Sequence, residues 1–244
     1  MKIRARLLGT GGSFGIPGIG CDCPVCLSTH KKNKRLRTSA FIEAGGKKIL
    51  IDASPDIRQV ALLYKMDKID QVLLSHFHED HIGGLNDLRP FFMKNDKPIP
   101  LYLSEETLRE ISSRFGYLLD RFEIKLLEDE TGSIDGFRYF TYSQGPTCVT
   151  GFRFGDFAYL TDIKVYPEAI FHELKGVKIL VLGAIHEEGT GMHFSFPEAI
   201  EFGKRSKSPR IIFTHLAHEV DHEQGSAMLP SGFELGYDGM VFDV

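Results

Sequence analysis

Six consecutive residues carry the densest set of potential metal ligands in the sequence. They are His76-Phe77-His78-Glu79-Asp80-His81, and they follow the apolar segment 71–75, which resembles a buried strand. A strand that ends in such a cluster brings imidazoles and carboxylates to one point at the edge of a sheet. Neutral imidazole and carboxylate are suitable ligands for zinc, iron or manganese. The cluster therefore predicts a metal site, and the alternative is a polar surface loop that is rich in histidine.

The spacing within this cluster favours two neighbouring metal positions. Asp80 and His81 are adjacent and point in different directions, whereas His76 and His78 share a face if strand geometry continues. Two later apolar runs end in further candidate ligands, which are Asp162 in 159–162 and His215 in 211–215. An Asp there could bridge two metals, because a carboxylate has two oxygens to share. The alternatives are a helix N-cap for Asp162 and a structural role for His215.

A second group of ligands lies nearer the N-terminus, where three of the four cysteines form the pattern Cys21-x-Cys23-x-x-Cys26. In a reducing compartment this spacing indicates metal binding rather than disulfides. Three thiolates need a fourth ligand for tetrahedral zinc. The candidates for that ligand are Cys148, His218 and His222. Such a closed site would hold loops together and would do no chemistry.

Hydrolysis at a metal site also needs a group that protonates the leaving group. His193 lies between a buried strand and a helix, and His186 is its competitor; either could be a surface histidine. The basic segment 31–37 could steer phosphate substrates, or it could be a solvated loop face. Arg37 is the residue of that segment that we expect to point inward, because it enters the next strand.

The bulk properties are those of an ordinary globular protein. The chain has 244 residues, of which 42% are hydrophobic and 25% charged, with a formal net charge of -4. The mild negative charge argues against a general nucleic-acid binder. No apolar run approaches the ~20 residues that span a bilayer, and residues 1–6 lack a signal-peptide core. We therefore expect a cytoplasmic protein with no membrane partner.

Strand-like and helix-like segments alternate along the whole chain, without a linker, a low-complexity segment or a charge block. This pattern predicts a single α/β domain over residues 1–244, with a zinc-binding loop inserted at about 20–38. The two halves are each rich in strands and closed by helices. They predict a four-layer αββα sandwich, in which two mixed β-sheets lie between helices.

These motifs resemble the metallo-β-lactamase superfamily. The resemblance rests first on His76-x-His78-x-Asp80-His81 together with the later Asp162 and His215. More specific marks narrow it to the PhnP-like phosphodiesterase branch, which cleaves phosphoribosyl cyclic phosphate. These marks are Gly9-Thr10-Gly11-Gly12 before the cysteine loop, Thr214-His215-Leu216-Ala217-His218, and the segment 229–240. The similarity covers essentially the whole chain.

The resemblance implies the αββα fold with a dinuclear metal centre. It implies that His76 and His78 bind one metal, that Asp80, His81 and His215 bind the other, and that Asp162 bridges them. It also implies a structural zinc site made of Cys21, Cys23, Cys26 and His218. His193 falls where the family places its general acid. The implied cofactors are one structural Zn²⁺ and one or two catalytic divalent metals, Zn²⁺ or Mn²⁺.

One position departs from the family pattern. A further histidine usually lies on the loop near Tyr142, but this sequence has Gln144 there and no histidine between 142 and 151. An amide oxygen is a weaker donor to zinc than an imidazole. The first metal position is therefore weak, filled by a different metal, or empty. The segment 52–58 also resembles PqqB, a related protein with an altered metal cluster.

Together these features predict a metal-dependent hydrolase that cleaves a small cyclic or nucleotide-like phosphodiester. The attacking group would be a metal-activated hydroxide, and His193 and Asp80 are the predicted catalytic residues. The alternatives are a metallohydrolase with a non-phosphate substrate, and a PqqB-like, non-catalytic metal protein. A small phosphorylated substrate is the expected partner, and the sequence also allows a homodimer.

Overall fold

Two seven-stranded sheets form the centre of the protein. The computed structural model describes residues 2–95 and 97–244. The strands are β1 Ile3–Gly9, β2 Ser39–Ala44, β3 Lys47–Ile51, β4 Gln71–Leu73, β5 Ile99–Leu103, β6 Phe122–Leu126, β7 Thr131–Ile134, β8 Phe137–Gln144, β9 Thr147–Phe154, β10 Phe157–Leu160, β11 Ile179–Gly183, β12 Arg210–Thr214, β13 Phe233–Leu235 and β14 Val241–Asp243. The first sheet has the order β14-β1-β2-β3-β4-β5-β6, and the second has the order β13-β12-β11-β10-β9-β8-β7.

The helices lie on the outer faces of the two sheets or in the loops at their edges. They are α1 Pro24–Leu27, α2 Ile57–Leu63, α3 Glu79–Ile82, α4 Arg89–Phe92, α5 Glu105–Phe115, α6 Ile170–Glu173, α7 Phe196–Ser206 and α8 His222–Met228, with 3-10 turns at Lys31–Asn33, Leu85–Leu88 and Gly116–Arg121. The longest two begin with capping serines: Ser104 caps α5, and Ser195 forms a capping box with Glu198 at the start of α7.

Three hydrophobic clusters divide the molecule into four layers. Side chains such as Ile42, Tyr102 and Phe157 fill the space between the two sheets. A second cluster packs α2 and α5 against the outer face of the first sheet, and a third packs α6 and α7 against the outer face of the second. Burial of apolar surface on both faces of each sheet stabilises this arrangement. The predicted αββα sandwich of two mixed sheets is confirmed.

The parallel parts of both sheets place the candidate ligands at one edge. Strands β3 to β6 run parallel in the first sheet, and β10 to β13 run parallel in the second. In open sheets of this kind, ligands bind beyond the carboxyl ends of the strands. The histidine cluster follows β4, Asp162 follows β10, and His215 follows β12 directly. The topology therefore brings these segments together.

Some predicted elements differ in the structure. Strand β4 ends at Leu73, so the histidine cluster spans a loop and the single-turn helix α3 instead of continuing a strand. The sequence predicts a helix from 167 to 174, whereas the structure has the shorter α6. Strands β7, β13 and β14 escaped prediction because edge strands of three or four residues are too short to show a period. Among the described residues, no helix has the length and apolarity that a membrane crossing requires.

Candidate metal centre

Three residues of the site occupy left-handed backbone conformations just beyond strands. Asp52 has φ 59°, Asp162 has φ 52° and His215 has φ 61°, following β3, β10 and β12 respectively. Residues other than glycine adopt this conformation at a cost of about 1–3 kcal/mol each, and such strain concentrates at functional sites. The sharp turns direct three side chains from three strand ends toward a common point.

Around that point, imidazole nitrogens and carboxylate oxygens converge. Nε2 of His81 lies 3.3 Å from Oδ2 of Asp80 and 3.2 Å from Oδ2 of Asp162. Nε2 of His215 lies 3.3 Å from Oδ2 of Asp80 and 3.3 Å from Oδ1 of Asp162. Asp162 thus presents one oxygen to each histidine. Potential ligand atoms of Asp80, His81 and His215 lie within 4.8 Å of one another, and so do those of His76, His81 and Asp162.

A buried hydrogen-bond network fixes the tautomers of two of these histidines. Nδ1 of His81 donates to Oδ2 of Asp52 at 2.8 Å. The Ser75 hydroxyl donates to the same carboxylate at 2.8 Å and accepts from Nδ1 of His76 at 2.9 Å. In the neutral rings, each Nε2 is therefore left without a proton and faces the site. Both Nε2 atoms are buried and lack a hydrogen-bond partner among the described residues.

The charges of the site match a bound cation. Asp52, Asp80 and Asp162 are all buried, and their ion-pair partners in the described part of the chain are histidines. Burial opposes the protonation of His81, but Asp80 and Asp162 outweigh it and raise the pKa of that imidazole well above its usual range. A buried charge of this kind is stabilised by pairing or by a metal. The donors and their unpaired nitrogens fit a divalent metal.

Gln144, at the end of β8, contacts the cluster through Asp162 and His193. Its Nε2 donates to Oδ1 of Asp162 at 2.9 Å and to Nε2 of His193 at 3.0 Å. Its Oε1 is buried and has no partner among the described residues. The amide therefore lies against the carboxylate of Asp162, and this position of the sequence is the one where the family pattern has an imidazole. One oxygen remains available to a cation on this side.

His193 lies directly over the cluster. Its ring stacks on that of His215 with a centroid separation of 4.8 Å, and its Nδ1 is 3.4 Å from Oδ1 of Asp162. Burial, together with the charge of His215, lowers the pKa of His193 to about 4. The imidazole is thus neutral near pH 7, so a role as proton donor requires the charge of an anionic substrate to raise that pKa.

His78 stands at the margin of the cluster. Its ring contacts that of His76 with a centroid separation of 4.5 Å, and its Nε2 faces the Thr147 hydroxyl at 3.5 Å. The side chain is partly exposed to solvent. Its nitrogens do not belong to the groups of potential ligand atoms that lie within 4.8 Å of one another. The role of His78 as a metal ligand remains a prediction, because its ring would have to move toward the cluster to bind a metal together with His76.

The cysteine loop forms a separate group near α1. Nδ1 of His218 lies 3.3 Å from Sγ of Cys21, 3.4 Å from Sγ of Cys23 and 3.8 Å from Sγ of Cys26. Four ligand atoms at these separations suit tetrahedral zinc. Of the three candidates for the fourth ligand, the structure places His218 beside the thiols. Cys148 lies elsewhere, where its backbone N–H donates to Glu106, and His222 packs against His30 and Tyr237.

His186, the competitor of His193, lies outside the ligand cluster. Its Nδ1 accepts hydrogen bonds from the backbone N–H groups of Glu188 and Gly189 at 3.2 and 3.3 Å. The proton of the neutral ring is therefore on Nε2, the opposite tautomer from His76 and His81. Nε2 of His186 is a hydrogen-bond donor and is not available as a metal ligand in this state.

Two polar residues that contact the candidate ligands were not predicted from the sequence as part of the site. Asp52 and Ser75 orient the ligands, and the signal for Asp52 is its position directly after the buried strand β3.

Arg37, expected to point inward, is held by Asp56 through its Nε at 2.8 Å and a terminal nitrogen at 2.6 Å. The other arginine of the basic segment, Arg35, is buried. That segment is therefore not a uniformly solvated loop face.

Comparison with known proteins places the chain among metallo-hydrolases. Residues 47–216 match the family model described as a beta-lactamase superfamily domain. A solved structure described as a new diphosphatase from the PhnP family has a TM-score of 0.95 and 34% sequence identity, covering 100% of this chain and 98% of that one. Zn²⁺-bound PqqB from Methylobacterium extorquens has a TM-score of 0.80 at 20% identity, covering 99% of this chain and 100% of its own, so it shares the fold.

A curated relative has a name that indicates acyl transfer and not hydrolysis. An octanoyltransferase from Porphyromonas gingivalis is 32% identical over 98% of this chain, and the match covers 51% of that protein. The chain thus spans about half the length of this relative, and the matches to the next two curated relatives cover 40% and 51% of them. The name octanoyltransferase is given to that longer protein.

Proposed function

The chain belongs to the metallo-β-lactamase superfamily of metal-dependent hydrolases, and within it we propose that the protein hydrolyses a phosphodiester or diphosphate bond in a small nucleotide-like molecule. The observation that supports this most is the end-to-end likeness to the PhnP-family diphosphatase, together with the convergence of Asp80, His81, Asp162 and His215 at the strand ends. The proposal includes zinc or manganese as the catalytic metal.

In the proposed site, Asp80, His81 and His215 would hold one metal, Asp162 would be shared, and His76, His78 and Gln144 would hold the other. A bound divalent metal lowers the pKa of a coordinated water and neutralises charge on the phosphate oxygens. The chain's own contribution is orientation: Asp52 and Ser75 keep the imidazole tautomers correct, and the rigid strand ends keep the ligands in place. His193 is positioned to donate a proton to the departing oxygen.

The substrate class is tested by a panel of model compounds with the metal-reconstituted protein. We expect turnover of an aryl or cyclic phosphodiester, or of a dinucleotide diphosphate. The panel also contains an octanoyl thioester and a β-lactam, which represent non-phosphate chemistry and the name of the longer relative. Exclusive turnover of the thioester or the lactam would contradict the proposal.

The departure at Gln144 favours a second candidate function, that of a non-catalytic metal protein. The amide in place of an imidazole weakens one metal position, and PqqB shares the fold. Metal analysis separates the two proposals. The zinc of the cysteine group alone favours the non-catalytic protein, whereas further metal bound at the strand-end cluster favours the enzyme.

A further inference from the structure

A cavity of about 620 Å³ opens beside the metal centre. The glycine-rich segment 12–19 forms one wall, and the segments 185–186 and 215–219 form the other. His215 lines both the cavity and the metal centre. Gly12 lies beside it, and a Cβ there would make an ordinary van der Waals contact of 3.4 Å with Cε1 of His215. A group attached to a phosphate at the metals would thus extend into this cavity, whose size is typical of small-molecule sites.

The walls of the cavity are largely apolar. Ile16, Ile185 and Leu216 line it, and two large apolar side chains stand at its rim, Phe14 at 87% and Ile19 at 105% relative exposure. Exposed hydrophobic residues that cluster around a cleft mark interaction sites. An aromatic ring at the rim offers a stacking surface for a flat ligand.

The charges of the cavity do not favour a second anionic group. Among its lining residues, Arg37 is the only lysine or arginine, and Asp56 engages two nitrogens of its guanidinium group. Glu219 adds a negative charge to the lining. A ligand that carried further phosphates into this space would find little compensation.

One polar donor is fixed in this apolar surrounding. His186 lines the cavity, and its Nδ1 accepts two backbone hydrogen bonds, so that Nε2 carries the proton of the neutral ring. We propose, on the basis of the proposed function, that the cavity binds the uncharged planar part of the substrate, such as a nucleobase, and that His186 orients it by donating a hydrogen bond. His186 is thus a positioning residue and a determinant of specificity.

The test uses two diesters that release the same group, the p-nitrophenyl esters of thymidine 5′-phosphate and of methyl phosphate. p-Nitrophenolate leaves without protonation, so the comparison reports binding of the remaining group and not acid catalysis. We expect the wild type to prefer the nucleoside ester in kcat/KM, and His186→Leu or Phe14→Ala to reduce that preference by about tenfold, the effect of one hydrogen bond or one stacking contact. His186→Gln, which keeps a donor, should retain more of the preference.

His172→Leu, on α6 and outside the cavity, is the matched control. A nucleoside preference that none of the cavity variants changes would overturn the inference, and so would an equal preference for the methyl ester. If the protein cleaves neither diester, the proposed function fails. Ligand binding measured by calorimetry then tests the inference about the cavity separately. Tighter binding of thymidine 5′-monophosphate than of ribose 5-phosphate, lost in His186→Leu, would support it; equal binding would overturn it.

Discussion

Nδ1 of His81 lies 2.8 Å from Oδ2 of Asp52, and both side chains are fully buried. The carboxylate also accepts from the backbone N–H and hydroxyl of Ser75, which in turn binds the ring of His76. One residue thus sets the orientation of two imidazoles that face the metal centre.

Asp52→Asn should weaken metal binding by roughly 10–100-fold, the usual effect of losing such a supporting contact. The amide places an N–H where His81 needs an acceptor, and this favours the wrong imidazole tautomer. Competition with a chromophoric chelator measures the affinity. Asp67→Asn, which removes an exposed carboxylate paired with Lys48, is the matched control. Unchanged affinity in Asp52→Asn would show that the contact does not orient the ligands.

Gln144→His should strengthen the weaker of the two metal positions. The substitution supplies an imidazole beside Asp162 in place of an amide, and imidazole is the better donor to zinc. We expect the metal content at the strand-end cluster to rise toward two per chain in a titration followed by elemental analysis. Gln144→Leu, which supplies no donor, should bind no more metal than the wild type. An equal rise in both variants would argue against a ligand effect.

Cys26→Ser should remove one zinc per chain and destabilise the protein. The loss of a metal that links the loop around α1 to His218 should cost on the order of 3 kcal/mol, or roughly 10 °C in melting temperature at this chain length. Thermal unfolding and elemental analysis measure both effects. Cys148→Ser is the control, because Cys148 does not belong to the cluster and its backbone N–H, which the substitution keeps, donates to Glu106. Zinc retained in Cys26→Ser would contradict the assignment.

The buried carboxyl of Asp238 should make stability fall as pH rises. Burial raises its pKa from 3.8 to about 7, despite hydrogen bonds from the Leu36 backbone and the Thr10 hydroxyl. Between these values the unfolded chain loses the proton while the folded chain keeps it, so the free energy of unfolding decreases, by about 4 kcal/mol in total.

Asp238→Asn cannot ionise. The variant should therefore gain stability relative to the wild type as the pH rises from about 4 to about 8, as measured by urea unfolding at each pH. A difference in unfolding free energy that stays constant with pH would contradict the raised pKa.

Much of this site could be predicted because its ligands follow apolar strands in the sequence. Asp162 and His215 were identifiable as strand-end residues without knowledge of which strands are neighbours, whereas the role of Gln144 as a replaced ligand stays a prediction. The αββα layers followed from the alternation of elements. The pattern Cys21-x-Cys23-x-x-Cys26 likewise indicated a metal group, and the family resemblance added His218 to it.

Other features depended on tertiary contacts that sequence patterns do not contain. Spacing alone left Cys148, His218 and His222 open as the fourth ligand; only the family resemblance implied His218, which the fold brings to the thiols from about 195 residues away. The network of Asp52 and Ser75 forms only when β3 and β4 pair side by side. The tautomer of His186 depends on backbone groups within its own loop. Local spacing could place His186 and His193 near the site but could not separate their roles.

The central claim is that Asp80 and His193 act together in phosphodiester hydrolysis at the strand-end metals. The most direct measurement is turnover of a 2′,3′-cyclic nucleotide, whose leaving group is a sugar hydroxyl, by metal-reconstituted wild type, Asp80→Ala and His193→Ala. We predict that Asp80→Ala loses metal and nearly all activity, and that His193→Ala loses roughly 10²–10⁴-fold in kcat with its metal retained. Turnover by the wild type that neither substitution changes would contradict the account.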